Sequence, residues 1–156
     1  MNEKKKIAKR YAKAFLHEKA GREKIELLAE EMRAFVRAVE SDKEAMEFFI
    51  SPAVPSRVKL KVAGNIARKL GFSPYTESLI ELLIRKGRFG IVSAVAEELQ
   101  AISDHLQGRV RVTVTTAVEP SVEDIELIAE RVSRFFGRKT VVNRRMDPSI
   151  IGGFIL

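Results

Sequence analysis

The side chains best suited to acid–base or metal chemistry are two histidines and several adjacent carboxylates. His17 and His105 lie far apart, each on a predicted helix among charged neighbours. A catalytic base or metal ligand needs a partner group nearby, and neither histidine has one at short spacing. Paired carboxylates such as Glu30-Glu31 alternate with basic residues, which favours a solvated helix face over acid–base catalysis. We therefore expect neither a catalytic site nor a metal site.

The motifs that bind phosphates and cofactors are also missing from the sequence. There is no cysteine, which excludes disulfides and thiolate metal sites. Neither a GxxxxGK[ST] loop nor a GxGxxG turn occurs, and no serine lies in a GxSxG elbow. The pair Gly152-Gly153 is weak evidence of phosphate binding, and a tight turn or close backbone approach explains it better. We expect no cofactor.

The charge balance leaves one alternative class of function open. The 156 residues include 28 Lys and Arg against 21 Asp and Glu, a net charge of +7, which attracts nucleic acid, anionic lipid or acidic protein. Most basic residues are mixed with glutamates, as on solvated helix faces. Tyr11 and Phe15 lie on the apolar stripe of the first helix, where core packing is favoured over stacking on bases. A basic RNA-binding helical protein remains the alternative, although we expect no nucleic-acid partner.

The first two-thirds of the chain is predicted to form six helices. Ser41 and Glu44 have the spacing of a capping box at the start of the third helix. Ser73 before Pro74 predicts the start of the fifth helix, with the serine as its N-cap. The fourth helix carries apolar residues at intervals of four, at Val58, Val62, Ile66 and Leu70. The fifth is apolar around most of its circumference, which predicts burial on more than one side.

After Gly108 the period of the apolar residues changes from helical to two. Val110, Val112 and Val114 alternate with polar residues, which predicts a half-buried strand. A helix from Ser121, a weaker strand over 140–145, a turn at 147–149 and a last strand follow. The sequence therefore predicts an α+β protein with two domains: a six-helix bundle over residues 1–107 and a small α/β domain, strand-helix-strand-strand, over 108–156.

Five segments carry, in order, the pattern of a known family. They are RYAKAF at 10–15, FFISPAV at 48–54, LIELLIRKGR at 79–88, GRVRVTVTTAVEP at 108–120 and DPSIIGGFIL at 147–156. Together they resemble the delta subunit of F-type ATP synthases, called the oligomycin-sensitivity-conferring protein in mitochondria. The last is the most specific, being similar to D-P-S-[LIV]-[LIV]-G-G-[FIV]-x-[LIV], and it makes Asp147, Gly152 and Gly153 the structural residues of the motif.

The resemblance implies a function and its partners. Such a subunit is a non-catalytic part of the stator: its helical domain binds the N-terminal helical segments of the alpha subunits, and its C-terminal part engages the b subunits of the peripheral stalk. The catalytic head is thereby kept from rotating with the rotor during proton-driven ATP synthesis. The implied location is the cytoplasmic face of a bacterial membrane, as a peripheral protein without its own insertion. Family members continue beyond Leu156 with further strand and a helical segment, so we expect the second domain to be truncated or naturally short.

An apolar groove between the first and fifth helices is our hypothesis for the binding site of the alpha subunit. Helix-in-groove recognition needs an apolar floor that accepts anchors at helical spacing, and the fifth helix has more apolar surface than one packing face requires. The predicted walls are Tyr11, Ala14 and Phe15 on the first helix and Leu79, Leu82 and Leu83 on the fifth. Ordinary core packing is the alternative for these six residues. The basic residues Arg22, Lys24, Lys86 and Arg88 are expected to rim the groove.

Overall fold

The structure is a computed structural model that describes residues 3–150 and 154–155. The chain divides into two compact units, Met1–Ser103 and Asp104–Leu156. The first is a helical bundle and the second a small α/β unit, which confirms the predicted fold class. Each described helix is too short or too polar to pass through a lipid bilayer.

The described residues of the helical part form six α-helices joined by short turns. They are α1 (Glu3–Phe15), α2 (Ile25–Glu40), α3 (Lys43–Ile50), α4 (Ser56–Leu70), α5 (Pro74–Arg85) and α6 (Val92–Leu106). A π-helical turn, Leu16–Ala20, extends α1, and 3-10 turns precede α2 and α6 at Arg22–Lys24 and Phe89–Ile91.

The start of α3 differs from the predicted capping box. Asp42 is the N-cap, and its carboxylate accepts hydrogen bonds from the amides of Glu44 and Ala45 at 2.9 and 3.4 Å. The Ser41 hydroxyl instead donates to the carbonyl of Ala38. The prediction was wrong by one residue because Ser41 keeps helical backbone angles at the end of α2. Aspartate is as good an N-cap as serine.

The apolar face of α4 also differs from the predicted stripe. Val58 and Leu70 are exposed, whereas Ala63 and Ala67 are buried. A residue advances about 100° around a helix, so four positions at intervals of four drift by about 120° in all. The ends of that stripe therefore point away from the core, whereas its middle residues, Val62 and Ile66, pack against the core beside the buried alanines.

The core of the bundle is centred on phenylalanines from several elements. Phe35 of α2 meets the rings of Phe49 and Phe89 edge-on, with centroids 6.3 and 6.1 Å away. Phe49 and Phe89 stack at 4.4 Å. All three side chains are at most 3% exposed. Because aromatic pairs in these geometries add stability beyond area burial, this cluster fixes the helices against one another.

The second unit is built around one parallel strand pair. Its elements are β1 (Val110–Thr116), α7 (Val122–Phe136), β2 (Thr140–Met146) and β3 (Phe154–Ile155), with strand order β2-β1-β3. β1 runs parallel to β2 and antiparallel to β3. The predicted start of α7 at Ser121 is confirmed, since Ser121 and Asp124 form a capping box. Gly137 ends the helix at φ 62°. Positive φ is what favours glycine there.

Candidate functional site

An apolar groove opens on the surface of the bundle between α1 and α5. Its volume is about 470 Å³. The floor is apolar, and Arg10, Glu18 and Ser78 lie around it; the full lining is Arg10, Tyr11, Ala14, Phe15, Glu18, Ser78 and Leu82. We call this surface the α1–α5 groove. A concave apolar surface with polar residues at its edge is the form that binds an amphipathic helix.

The structure brings four of the six predicted groove residues together. Tyr11 and Leu82 are half-buried, and Ala14 is exposed; Phe15 is 5% exposed. All four line the groove. Leu79 and Leu83 do not, since both are fully buried in the core.

Three polar lining residues were not predicted: Arg10, Glu18 and Ser78. Arg10, Ala14 and Glu18 follow one another at intervals of four, the spacing of one helix face. Because Ala14 was predicted to line the groove, this spacing could have predicted that Arg10 and Glu18 line it as well.

A carboxylate on α2 holds the start of α5, one wall of the groove. Glu31 accepts hydrogen bonds from the amide and hydroxyl of Ser73, at 3.0 and 2.6 Å, and from the hydroxyl of Thr76. Thr76 is fully buried. Ser73 occupies the N-cap position as predicted, but its own side chain makes no capping bond. Glu31 supplies the negative charge that a helix start favours.

Replacing Glu31 with alanine is expected to destabilise the bundle by about 2 kcal/mol, because a cap is lost and the buried Thr76 hydroxyl loses its acceptor. Urea unfolding followed by circular dichroism measures the change. The neighbouring exposed Glu30→Ala is the control and should change the free energy of unfolding by less than about 0.5 kcal/mol. Equal effects of the two substitutions would contradict a capping role for Glu31.

The titratable groups do not converge on a reaction centre in the described parts of the chain. His17 is exposed and lies 3.5 Å from Glu18, and His105 is exposed on α6. Over residues 3–150 and 154–155, no group of three or more His, Asp or Glu side chains is placed to hold a metal ion.

The comparison with protein families decides the assignment. The family model described as ATP synthase delta (OSCP) subunit matches residues 7–156. The chain belongs to that family. Curated relatives named ATP synthase subunit delta agree: the protein of Desulfatibacillum aliphaticivorans is 32% identical over 152 residues, which cover 96% of this chain and 82% of the relative. That of Syntrophus aciditrophicus is also 32% identical, covering 96% and 83%.

A solved structure has the same fold as this member of the delta (OSCP) family. A chain in the cryo-EM structure of the mitochondrial ATP synthase hexamer of Toxoplasma gondii matches with a TM-score of 0.72 and 21% identity. The match covers 95% of this chain and 83% of that chain. The likeness extends over both units, so it supports the α+β fold as a whole.

The family motif near the end of the chain begins with a hydrogen-bonded turn. The carboxylate of Asp147 accepts bonds from the amide and the hydroxyl of Ser149, at 3.0 and 2.6 Å. These bonds, with a smaller contribution from Arg145, hold the pKa of Asp147 below its usual range. The turn connects the end of β2 to the last segment. Gly152 and Gly153 lie outside the described residues.

The Asp147 turn is expected to weaken in acid. A lowered folded-state pKa means that the stabilisation is complete above the unfolded-state pKa of about 4 and is lost as the pH falls through the folded value. In an NMR titration, the Ser149 amide should follow the carboxylate with a midpoint below that of an ordinary aspartate. Ser149→Ala removes the hydroxyl donor and should raise the midpoint. An unchanged midpoint in that variant would contradict the assigned cause.

A second apolar groove lies within the α/β unit of this family member. It has a volume of about 620 Å³ and is lined by Val110, Arg111, Val112, Thr113, Arg131, Val132, Phe135 and Phe136. The Phe135 ring is 85% exposed and lies edge-on to Phe136, with centroids 5.1 Å apart. Exposed aromatic side chains beside an apolar groove are typical of protein interfaces.

Proposed function

We propose that this chain is a non-catalytic stator connector of an F-type ATP synthase. Its helical unit holds an N-terminal helical segment of an alpha subunit, and its second unit engages the b subunits of the peripheral stalk. The connection keeps the catalytic head from turning with the rotor. The protein acts at the cytoplasmic face of the membrane and is peripheral to it through the complex.

The α1–α5 groove is the observation that carries this proposal. Tyr11 and Leu82 are apolar yet only half-buried, so a partner that covers them gains free energy by removing apolar surface from water. Ala14 lines the same groove with a side chain of one methyl group. A small residue there lets an incoming helix approach closely, as helix-in-groove recognition requires.

The second unit offers a separate surface for the b subunits. Its groove combines the exposed Phe135 and Phe136 rings with valines of β1. Aromatic side chains contribute large contact area and often dominate interface energetics. The two grooves belong to different units of the chain, as a connector with two partners needs.

Calorimetric titration with a synthetic peptide from the N-terminus of the same organism's alpha subunit tests the proposal. We expect saturable one-to-one binding at low and at physiological salt, while a mixed RNA pool gives no binding at physiological salt. RNA binding that falls steeply with salt, without peptide binding, would overturn the stator role. It would favour a basic RNA-binding protein, because release of counterions makes such binding strongly salt-dependent.

A further inference from the structure

The α1–α5 groove continues into a basic space towards the N-terminus of α1. That space has a volume of about 670 Å³ and is lined by Glu3, Lys6, Ile7, Arg10, Tyr11 and Arg88. Arg10 and Tyr11 line the apolar groove as well, so the two surfaces adjoin. We call Lys6, Arg10 and Arg88 the basic corner. Its three cations outnumber the single carboxylate of Glu3, and the corner is therefore positive.

The opposite end of the groove carries the opposite charge. Glu18 lines that end, one turn beyond Ala14, and its side chain is 73% exposed. Between the two ends the floor consists of Tyr11, Ala14, Phe15 and Leu82. The lining from Ile7 to Glu18 extends over roughly 16 Å at the rise of an α-helix, about three turns of a bound helix. The groove thus has a positive end, an apolar middle and a negative end.

The cations of the basic corner are exposed and form no ion pair with the residues that the structure describes. Carboxylates of a bound segment would therefore meet donors that are not already engaged, and complementary charges at a rim act mainly on specificity and association rate.

We propose that the occupant of the groove is a charge-polarised amphipathic helix. The apolar face of this bound helix covers Tyr11, Ala14 and Leu82. A cluster of carboxylates lies just beyond one end of that face and contacts the basic corner. The other end of the bound helix, which lies near Glu18, has no carboxylates. This inference rests on the proposed function, since it specifies which part of an alpha-subunit N-terminal segment is bound and in which alignment. The apolar anchors supply most of the affinity, and the charges select the register.

Reversing one charge of the corner tests the alignment. Arg88→Glu is expected to weaken binding of the alpha-subunit peptide about fivefold and to reduce its salt dependence, because one attraction becomes a repulsion at a solvated rim. The control is Arg57→Glu, the same change of charge at an exposed position of α4 that lines neither space. It should leave the affinity within about twofold, since an exposed charge that does not contact the bound segment acts on it only through solvent and salt, which screen it. Circular dichroism confirms that both variants are folded.

A second peptide, in which lysines replace the carboxylates proposed to contact the basic corner, completes a double-mutant cycle with Arg88→Glu. It should bind the wild-type protein more weakly than the original peptide, and it should bind Arg88→Glu more tightly than it binds wild type. Three results would overturn the proposed alignment without overturning the stator role. The first is an equal loss of affinity in Arg88→Glu and Arg57→Glu, and the second is no coupling between the protein and peptide substitutions. The third is a native alpha-subunit segment that has no carboxylates beyond its apolar face. Absence of any peptide binding to the wild-type protein would overturn the proposed function itself.

Discussion

Replacing Ala14 with aspartate is expected to abolish binding of the alpha-subunit peptide while leaving the protein folded. Ala14 is exposed on α1 and lies on the floor of the groove. A carboxylate there would be covered by the apolar face of the bound helix, and burying a charge without a partner is strongly unfavourable. The affinity should fall about a hundredfold or more, which corresponds to roughly 3 kcal/mol of binding free energy.

A matched substitution on another helix separates the groove from general effects of an added charge. Ala38 is an exposed alanine in the last turn of α2, as Ala14 is in the last turn of α1. Ala38→Asp therefore adds the same charge at an exposed alanine of another helix that does not line the groove. It should bind the peptide like the wild-type protein. If Ala14→Asp also bound normally in calorimetry, the α1–α5 groove would not be the site.

The predicted groove residues show what apolar periodicity can and cannot establish. The excess of apolar residues on α5 predicted burial on more than one side, but its buried residues lie on one face, an arc of about 140°. Leu82 is half-buried beside that face and lines the groove. Leu79 and Leu83 form the next row of the helix, rotated by about 100° from Ser78 and Leu82, and that row enters the core. When nearly every face of a helix is apolar, the pattern alone does not tell which row the neighbouring helices cover.

The positions of the charged residues around the groove also depend on how the helices pack, which the sequence pattern does not show. Of the four basic residues expected at the rim, Arg88 lies in the basic corner, which adjoins the groove. Lys24 and Lys86 are not among the lining residues of either space, and the side chain of Arg22 lies outside the described residues. Arg88 follows α5 in a turn whose direction is fixed by tertiary contacts. Its position relative to the groove could therefore not be predicted from its spacing in the sequence.

Helix ends could be predicted where the signal is local. Ser121 and Asp124 are three residues apart, and their mutual hydrogen bonds were predictable from that spacing alone. The bond between Glu31 and Ser73 joins residues 42 positions apart. No local pattern contains such a pair, because it exists only once α2 and α5 are packed. The order of strands in the sheet is likewise a property of the folded unit.

Removing the carboxylate of Asp104 is expected to destabilise the second unit by about 3 kcal/mol. The Asp104 side chain is only 8% exposed. It accepts two hydrogen bonds from the guanidinium of Arg111, at 2.7 and 3.0 Å, and lies 3.4 Å from that of Arg109. Arg111 also donates to Asn143 at 3.3 Å, so one carboxylate links the end of α6 to β1 and, through Arg111, to β2. In Asp104→Ala both guanidinium groups, less than a quarter exposed, lose this partner.

Amide hydrogen exchange along β1 measures the effect, and exchange should become faster by about a hundredfold, as 3 kcal/mol requires. Glu130→Gln is the control, because its ion pair with Arg134 is exposed and such pairs contribute less than about 1 kcal/mol. Unchanged exchange in Asp104→Ala would contradict a structural role for the buried pair. The residues that line the α1–α5 groove all belong to the unit Met1–Ser103. Asp104→Ala should therefore still bind the alpha-subunit peptide but lose affinity for the b subunits, whereas Ala14→Asp should show the opposite pattern.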